Sequence, residues 1–190
     1  MSSRRSPLAM AVLALTMEAP MHAYRMQQLI KERHKDDVIN VAQRNSIYQT
    51  IERLHRDGLI AVQGTSREEN RPERTVFEIT KAGKETLREW MLTMLSTPAR
   101  EFPEFPAALA FLPIVPVSSA LEALRARVNT LTDRLSAARA EMDEGAKFLP
   151  RLFLVETEHQ IAVLSAELTF VRSLVKDLTS GELSWDDLER

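Results

Sequence analysis

The sequence predicts a mainly α-helical chain interrupted by one small β-hairpin. Three observations carry this reading. Apolar residues recur at three- and four-residue spacing over most of the chain, as amphipathic helices require. The period changes once, in LIAVQGT and RTVFEIT, two short runs of β-branched and aromatic residues on either side of the charged SREENRPE, which is the pattern of a hairpin. A proline-rich stretch beginning at Pro98 then divides the helical material, giving domains at 1–97 and 98–190.

The elements follow in order. Ser6-Pro7 reads as a cap and first-turn proline, and Leu8, Val12, Leu13 and Leu15 supply an apolar stripe up to Glu18, with Ala19-Pro20 ending the helix. A second helix is expected from His22 to about Lys35, with Tyr24, Met26, Leu29 and Ile30 on one side and Arg25, Lys31, Arg33 and Lys35 in the polar remainder. Asp36-Asp37 breaks that pattern, and VINVAQ is expected as a short extended link. A third helix has Ile47, Ile51, Leu54 and His55 at core spacing, with Gly58 as its stop. Strands are expected at 59–65 and 74–80, with Pro72 in the loop between them, and Thr80 caps a helix from Lys81 to about Ser96.

Pro98, Pro103, Pro106, Pro113 and Pro116 bracket the apolar AALAFL and mark a hinge. Beyond it Leu121, Leu124, Val128, Leu131, Leu135, Ala138 and Met142 keep a four-three heptad spacing, the mark of a packed helix seam. A last helix after Pro150 repeats that spacing in Ile161, Leu164, Leu168, Val171, Val175 and Leu178, until Ser180-Gly181 closes it. The two long helices, joined near Gly145 to Pro150, are expected to form an antiparallel hairpin.

Composition excludes several functions. With 190 residues, 44% of them hydrophobic, the chain can bury one good core or two small ones. It has no cysteine, which removes disulfides, thiolate zinc sites and a cysteine nucleophile. The first twenty residues faintly resemble a signal peptide, but their apolar run leads straight into a helical period and reads as a core helix. No stretch reaches the roughly 18 apolar residues of a membrane span, so no membrane partner and a cytoplasmic address are expected. A phosphate-binding glycine loop, a nucleophile elbow and HExxH are all missing, so the chain is not expected to be an enzyme. His22, His34, His55 and His159 lack metal-ligand spacing, and no metal or cofactor is expected. The net charge of −2 hides an asymmetry, since the first half carries an excess of Lys and Arg and the second half an excess of Asp and Glu. The basic half suits a polyanion.

Three helices followed by a hairpin make a winged helix-turn-helix. In that architecture the third helix enters the major groove and the hairpin loop reaches an adjacent groove or the backbone. The third helix begins with an unusually polar front, RNSIYQ. Asn45, Ser46, Tyr48 and Gln49 can pair with base edges or phosphates, and Arg44 and Arg53 can neutralise phosphates. Arg67, Arg71 and Arg74 are either a solvated loop or a second DNA contact. Tyr48 is either a packing residue or part of the DNA face.

His22-Ala23-Tyr24, SIYQTIERLHRDGLI and RTVFEITKAGKETLREW together resemble the winged-helix domain of the PadR family of bacterial transcriptional regulators, over roughly residues 8–92. Departures are Ala23, Gln49 and Val76-Phe77, where the family usually has glycine, proline and an aromatic pair. The resemblance adds Tyr24 to the DNA-facing set. It implies a homodimer built by the C-terminal helices, with Leu121, Leu124, Val128, Leu131, Leu135, Ile161, Leu168, Val171 and Val175 as candidate dimerisation residues. It also implies that some members sense small aromatic compounds. Trp90, Met91, Met94, Phe102 and Phe105 would line such an effector site, or else form a plain core. The expected function is a dimeric regulator on a pseudo-palindromic duplex operator, a repressor released by a small-molecule effector. The alternative is a winged-helix protein-interaction module.

Overall fold

A computed structural model describes residues 5–36, 38–41, 44–66 and 74–185, with Arg44, Asn45 and Ser66 placed by backbone alone. It divides into two compact units, residues 1–100 and 101–190. In the first, α1 (Pro7–Glu18), α2 (Ala23–Glu32) and α3 (Arg44–Arg56) precede an antiparallel pair, β1 (Ile60–Ser66) and β2 (Arg74–Ile79), and α4 (Lys81–Ser96) follows. The fold is mainly α with a two-stranded hairpin, as expected.

Helix α1 is the centre of this unit. The Ser6 hydroxyl accepts from the Ala9 amide at 3.1 Å, and Pro7 occupies the first turn, where its missing N–H costs nothing. Residues all round the helix are buried, Ala9, Val12 and Leu13 among them, because α3, α4 and β2 all pack on it. A helix apolar on every side is one enclosed by its neighbours.

Helix α2 ends at Glu32, three residues before the expected Lys35. His34 sits in the left-handed region at φ 52°, the amide of Lys35 donates to the Ile30 carbonyl at 2.8 Å and that of His34 to Lys31 at 3.0 Å. This double closure normally uses glycine, so a histidine there gives no sequence signal. Gly58 makes the same closure after α3 at φ 72°, with Leu59 donating to Leu54 at 2.9 Å, and there the signal was legible. Met26, Leu29 and Ile30 are buried, but Tyr24 is 45% exposed and points away from that stripe. His55 is also exposed, its ring edge-on to Phe77 at 6.0 Å. Residues 38–41 form a turn and an irregular link, not an extended strand, and Ile39 and Val41 anchor it in the core.

In the hairpin, Val62 pairs with Phe77 and Gly64 with Val76, leaving Gln63 as an extra residue in a bulge. The Met21 and Phe77 backbones exchange two hydrogen bonds of 3.0 Å, tying β2 to the start of α2. Thr80 then caps α4, its hydroxyl accepting from the Gly83 amide at 3.0 Å and facing the carbonyl oxygen of Gly58 at 2.7 Å.

Arg33 grips Glu18 with two parallel bonds of 2.7 Å, linking α1 to the end of α2. This bond from Arg33 holds the Glu18 carboxyl below its ordinary pKa. A depressed folded-state pKa stabilises above the unfolded value, and that stabilisation is lost as pH falls through the folded value. Both partners are largely exposed, so the effect is small. Glu18→Gln should therefore lower the melting temperature slightly at neutral pH, and the difference from the parent chain should vanish in acid, as thermal melts at both pH values would show.

The second unit holds α5 (Glu104–Leu109), α6 (Val117–Gly145) and α7 (Val155–Ser180). The proline-rich stretch is not a bare hinge, since it contains α5 and a short 3-10 turn at Leu112–Ile114. Prolines at a helix start are compatible with helix, and Pro103 and Pro116 precede α5 and α6. Helices α6 and α7 form a hairpin with Leu124, Leu131, Leu135, Ala138, Leu164, Leu168, Val171 and Leu178 buried along one seam. Leu121, Val128, Ile161 and Val175 are partly buried beside it. Gly181 closes α7 at φ 76°. Trp185 is buried in this unit and its indole N–H donates to the Val115 carbonyl at 2.8 Å.

Candidate nucleic-acid interface

The front of α3 is assembled by its own burial pattern. Ile47, Thr50, Ile51 and Leu54 face the core, which turns the residues between them outward. Tyr48 is 51% exposed, Gln49 is exposed and Ser46 half-buried. Arg53 is half-buried with its Nε enclosed and unbonded. The backbone of Arg44 and Asn45 forms the first turn of α3, and their side chains lie outside the described set. Arg67 and Arg71 also fall outside the described residues.

Tyr48 does not stand alone. It lines a concave notch of about 440 Å³ with Ile51 and Glu52 of α3, His22, Ala23 and Tyr24 at the start of α2, and Arg74, Thr75 and Phe77 of β2. Three elements that are separate in sequence meet there. The Arg74 guanidinium lies over the Tyr24 ring at 4.8 Å from its centroid, a cation–π contact that holds a long side chain in one place. The His22 and Tyr24 rings are stacked at 6.3 Å. His22 also caps α2, its Nδ1 accepting from the Arg25 amide at 3.0 Å. The expected DNA-facing residues Tyr24, Tyr48 and Arg74 are thus brought together. His22, read as structural or surface from the sequence alone, joins them. Its signal was its position just before an apolar helical run, where a side-chain acceptor caps the first turn.

Residues 12–89 match the Transcriptional regulator PadR-like family. Over that span the winged unit is similar to a PadR-like domain. The search for curated relatives gave no match. Among solved structures, Bacillus subtilis PadR in complex with operator DNA is similar at a TM-score of 0.71 and 18% identity, over 91% of this chain and 99% of that one. The same protein in complex with p-coumaric acid gives 0.72 and 16%, over 90% and 98%. The PadR-like regulator BC1756 from Bacillus cereus gives 0.64 and 15%, over 92% and 99%. At these identities the likeness shows that both units share the PadR fold.

The other expected sites distribute differently. Leu124, Leu131, Leu135, Leu168 and Val171 are buried inside the chain's own hairpin, where heptad spacing serves an intramolecular seam. Of the effector candidates, Trp90 is only 6% exposed and belongs to the winged-unit core, Met91 is exposed and Met94 half-buried. Phe102 is 81% exposed, while Phe105 packs on the second unit's core under the Arg127 guanidinium at 3.7 Å. Among the described residues no cluster of His, Asp and Glu is arranged to hold a metal ion, and no helix is long and apolar enough to cross a membrane.

Proposed function

We propose that the chain is a dimeric transcriptional regulator whose α3 reads duplex DNA, acting as a repressor that a small aromatic molecule releases. The observation that carries the DNA-binding reading is the exposed polar front of α3, where Gln49 is exposed and Tyr48 lines one notch with Tyr24 and Arg74. A core needs none of these side chains there, and a major groove accepts them. The structure of B. subtilis PadR with operator DNA supports the reading, and that with p-coumaric acid supports the effector. Support for a homodimer comes from large apolar side chains left exposed on the second unit, Phe148, Leu152, Phe153 and Phe170 among them. They lie outside the seam, so the contact between copies would use those faces and not the buried leucines.

Selection of a binding site from random duplexes should return a pseudo-palindrome with half-sites on the order of 10 or 20 base pairs apart. Gln49→Ala should then relax preference at one position by about 1 to 3 kcal/mol while leaving affinity for unrelated duplex nearly unchanged. Recovery of no preferred sequence, with no duplex binding at low salt, would favour the protein-interaction module instead.

A further inference from the structure

The second unit carries more carboxylates than basic side chains, and Arg127, Lys147 and Arg151 each pair there with a glutamate. Two arginines do not. Arg139 of α6 and Arg172 of α7 are exposed and line one groove of about 330 Å³ between the helices, and among the described residues no carboxylate lines it with them. Like charges at one groove repel, and an anion placed between them removes the repulsion.

The rest of the lining suits such an anion. The Thr132 hydroxyl donates to the Val128 carbonyl at 2.7 Å, which leaves its oxygen to accept from Nη2 of Arg172 at 3.4 Å. That contact draws an α7 side chain toward α6 before any ligand arrives. Arg139 has no hydrogen bond or ion pair among the described residues, so its planar fork of donors is open to a ligand. Ser136 and Ser165 add hydroxyls, and the buried seam residues Leu135 and Leu168 add an apolar wall.

We propose that this groove binds a small organic phosphate monoester, with the phosphate between Arg139 and Arg172 and the carbon skeleton against Leu135 and Leu168. A phosphate monoester carries about two negative charges at neutral pH and three acceptor oxygens, which matches two guanidiniums and two serine hydroxyls. A carboxylate brings a single charge and leaves one arginine uncompensated. The volume lies at the small end of ligand pockets, so the skeleton is no larger than a single ring. The proposal is independent of the DNA-binding reading, because no residue of the winged unit lines the groove. Nor does any of the apolar side chains assigned to the contact between copies.

Isothermal titration of the full chain with phenyl phosphate tests this. Saturable binding at one site per chain is expected, with a dissociation constant below about 1 mM. Inorganic phosphate and benzoate should each bind roughly tenfold more weakly or worse, the first for want of contact with the leucines and the second for want of charge. Arg139→Gln and Arg172→Gln should each lower affinity for phenyl phosphate roughly tenfold or more, the scale of a hydrogen bond to a charged group. Both residues are exposed, so the melting temperature of the unliganded chain should hold. Arg134→Gln, on α6 but outside the groove, should change nothing. The proposal is overturned if phenyl phosphate shows no saturation up to about 10 mM, if inorganic phosphate binds as tightly, or if the two groove variants bind as well as the parent chain. An equal loss in Arg134→Gln would also overturn it, by showing that only the overall charge matters.

Discussion

A chain carrying Leu131→Lys should fail to fold its second unit, losing most of the helical circular-dichroism signal of α6 and α7. Leu131 is buried at the middle of the seam between these helices. Replacing it removes a well-packed apolar side chain, worth about 2 to 5 kcal/mol on truncation alone, and forces an ammonium among leucines with no carboxylate partner. The combined cost is of the same order as the roughly 5 to 15 kcal/mol that holds a whole domain. The expected product is not a folded monomer, because the seam is internal to one chain. Proteolysis should cut within 117–180 while leaving the winged unit intact. A folded, helical Leu131→Lys protein that had merely lost its partner would show that the seam belongs between copies.

Gly83→Ala should destabilise the winged unit by about 2 to 3 kcal/mol, the cost of overpacking a close contact. In an exposed helix the same change would stabilise by up to about 1 kcal/mol, so the sign itself is informative. The reason is contact, not conformation. A Cβ at this position in the first turn of α4 would run into the Leu59 carbonyl oxygen and stand 2.8 Å from Cγ1 of Ile79. Backbone cannot move aside as a flexible side chain can, so α4 must lift from the strands. A drop in melting temperature on the order of 10 to 20 °C follows for a unit of this size, and calorimetry would read it. Unchanged or raised stability would mean that α4 packs less closely on Leu59 than the geometry indicates.

Much of this architecture was legible because it rests on local chemistry. Ser6-Pro7, Thr80, Gly58 and Gly181 mark helix ends through hydrogen bonding or backbone freedom that belongs to the residue itself, and each stands where expected. The end of α2 was not legible, since it depends on His34 adopting a glycine-like conformation. Helix α5 was hidden because prolines at helix starts look the same in sequence as prolines in a linker. At the interface, the exposed front of α3 followed from the spacing of Ile47, Ile51 and Leu54. The part played by His22 did not, because it depends on a strand 52 residues away bringing Arg74 beside it. The heptads predicted a seam correctly, but spacing alone does not say whether the partner helix belongs to the same chain.

Thr80 has a consequence for how the winged unit opens. Its amide donates to the Leu59 carbonyl at 3.0 Å, its hydroxyl faces the Gly58 carbonyl, and the same oxygen caps α4 at Gly83. One residue thereby joins the end of α3, the entry to β1 and the first turn of α4. Opening one of these three ends disturbs a residue that the other two share, so the three are expected to loosen together. The helix proposed to read DNA and the helix that carries the chain out of the domain share that fate.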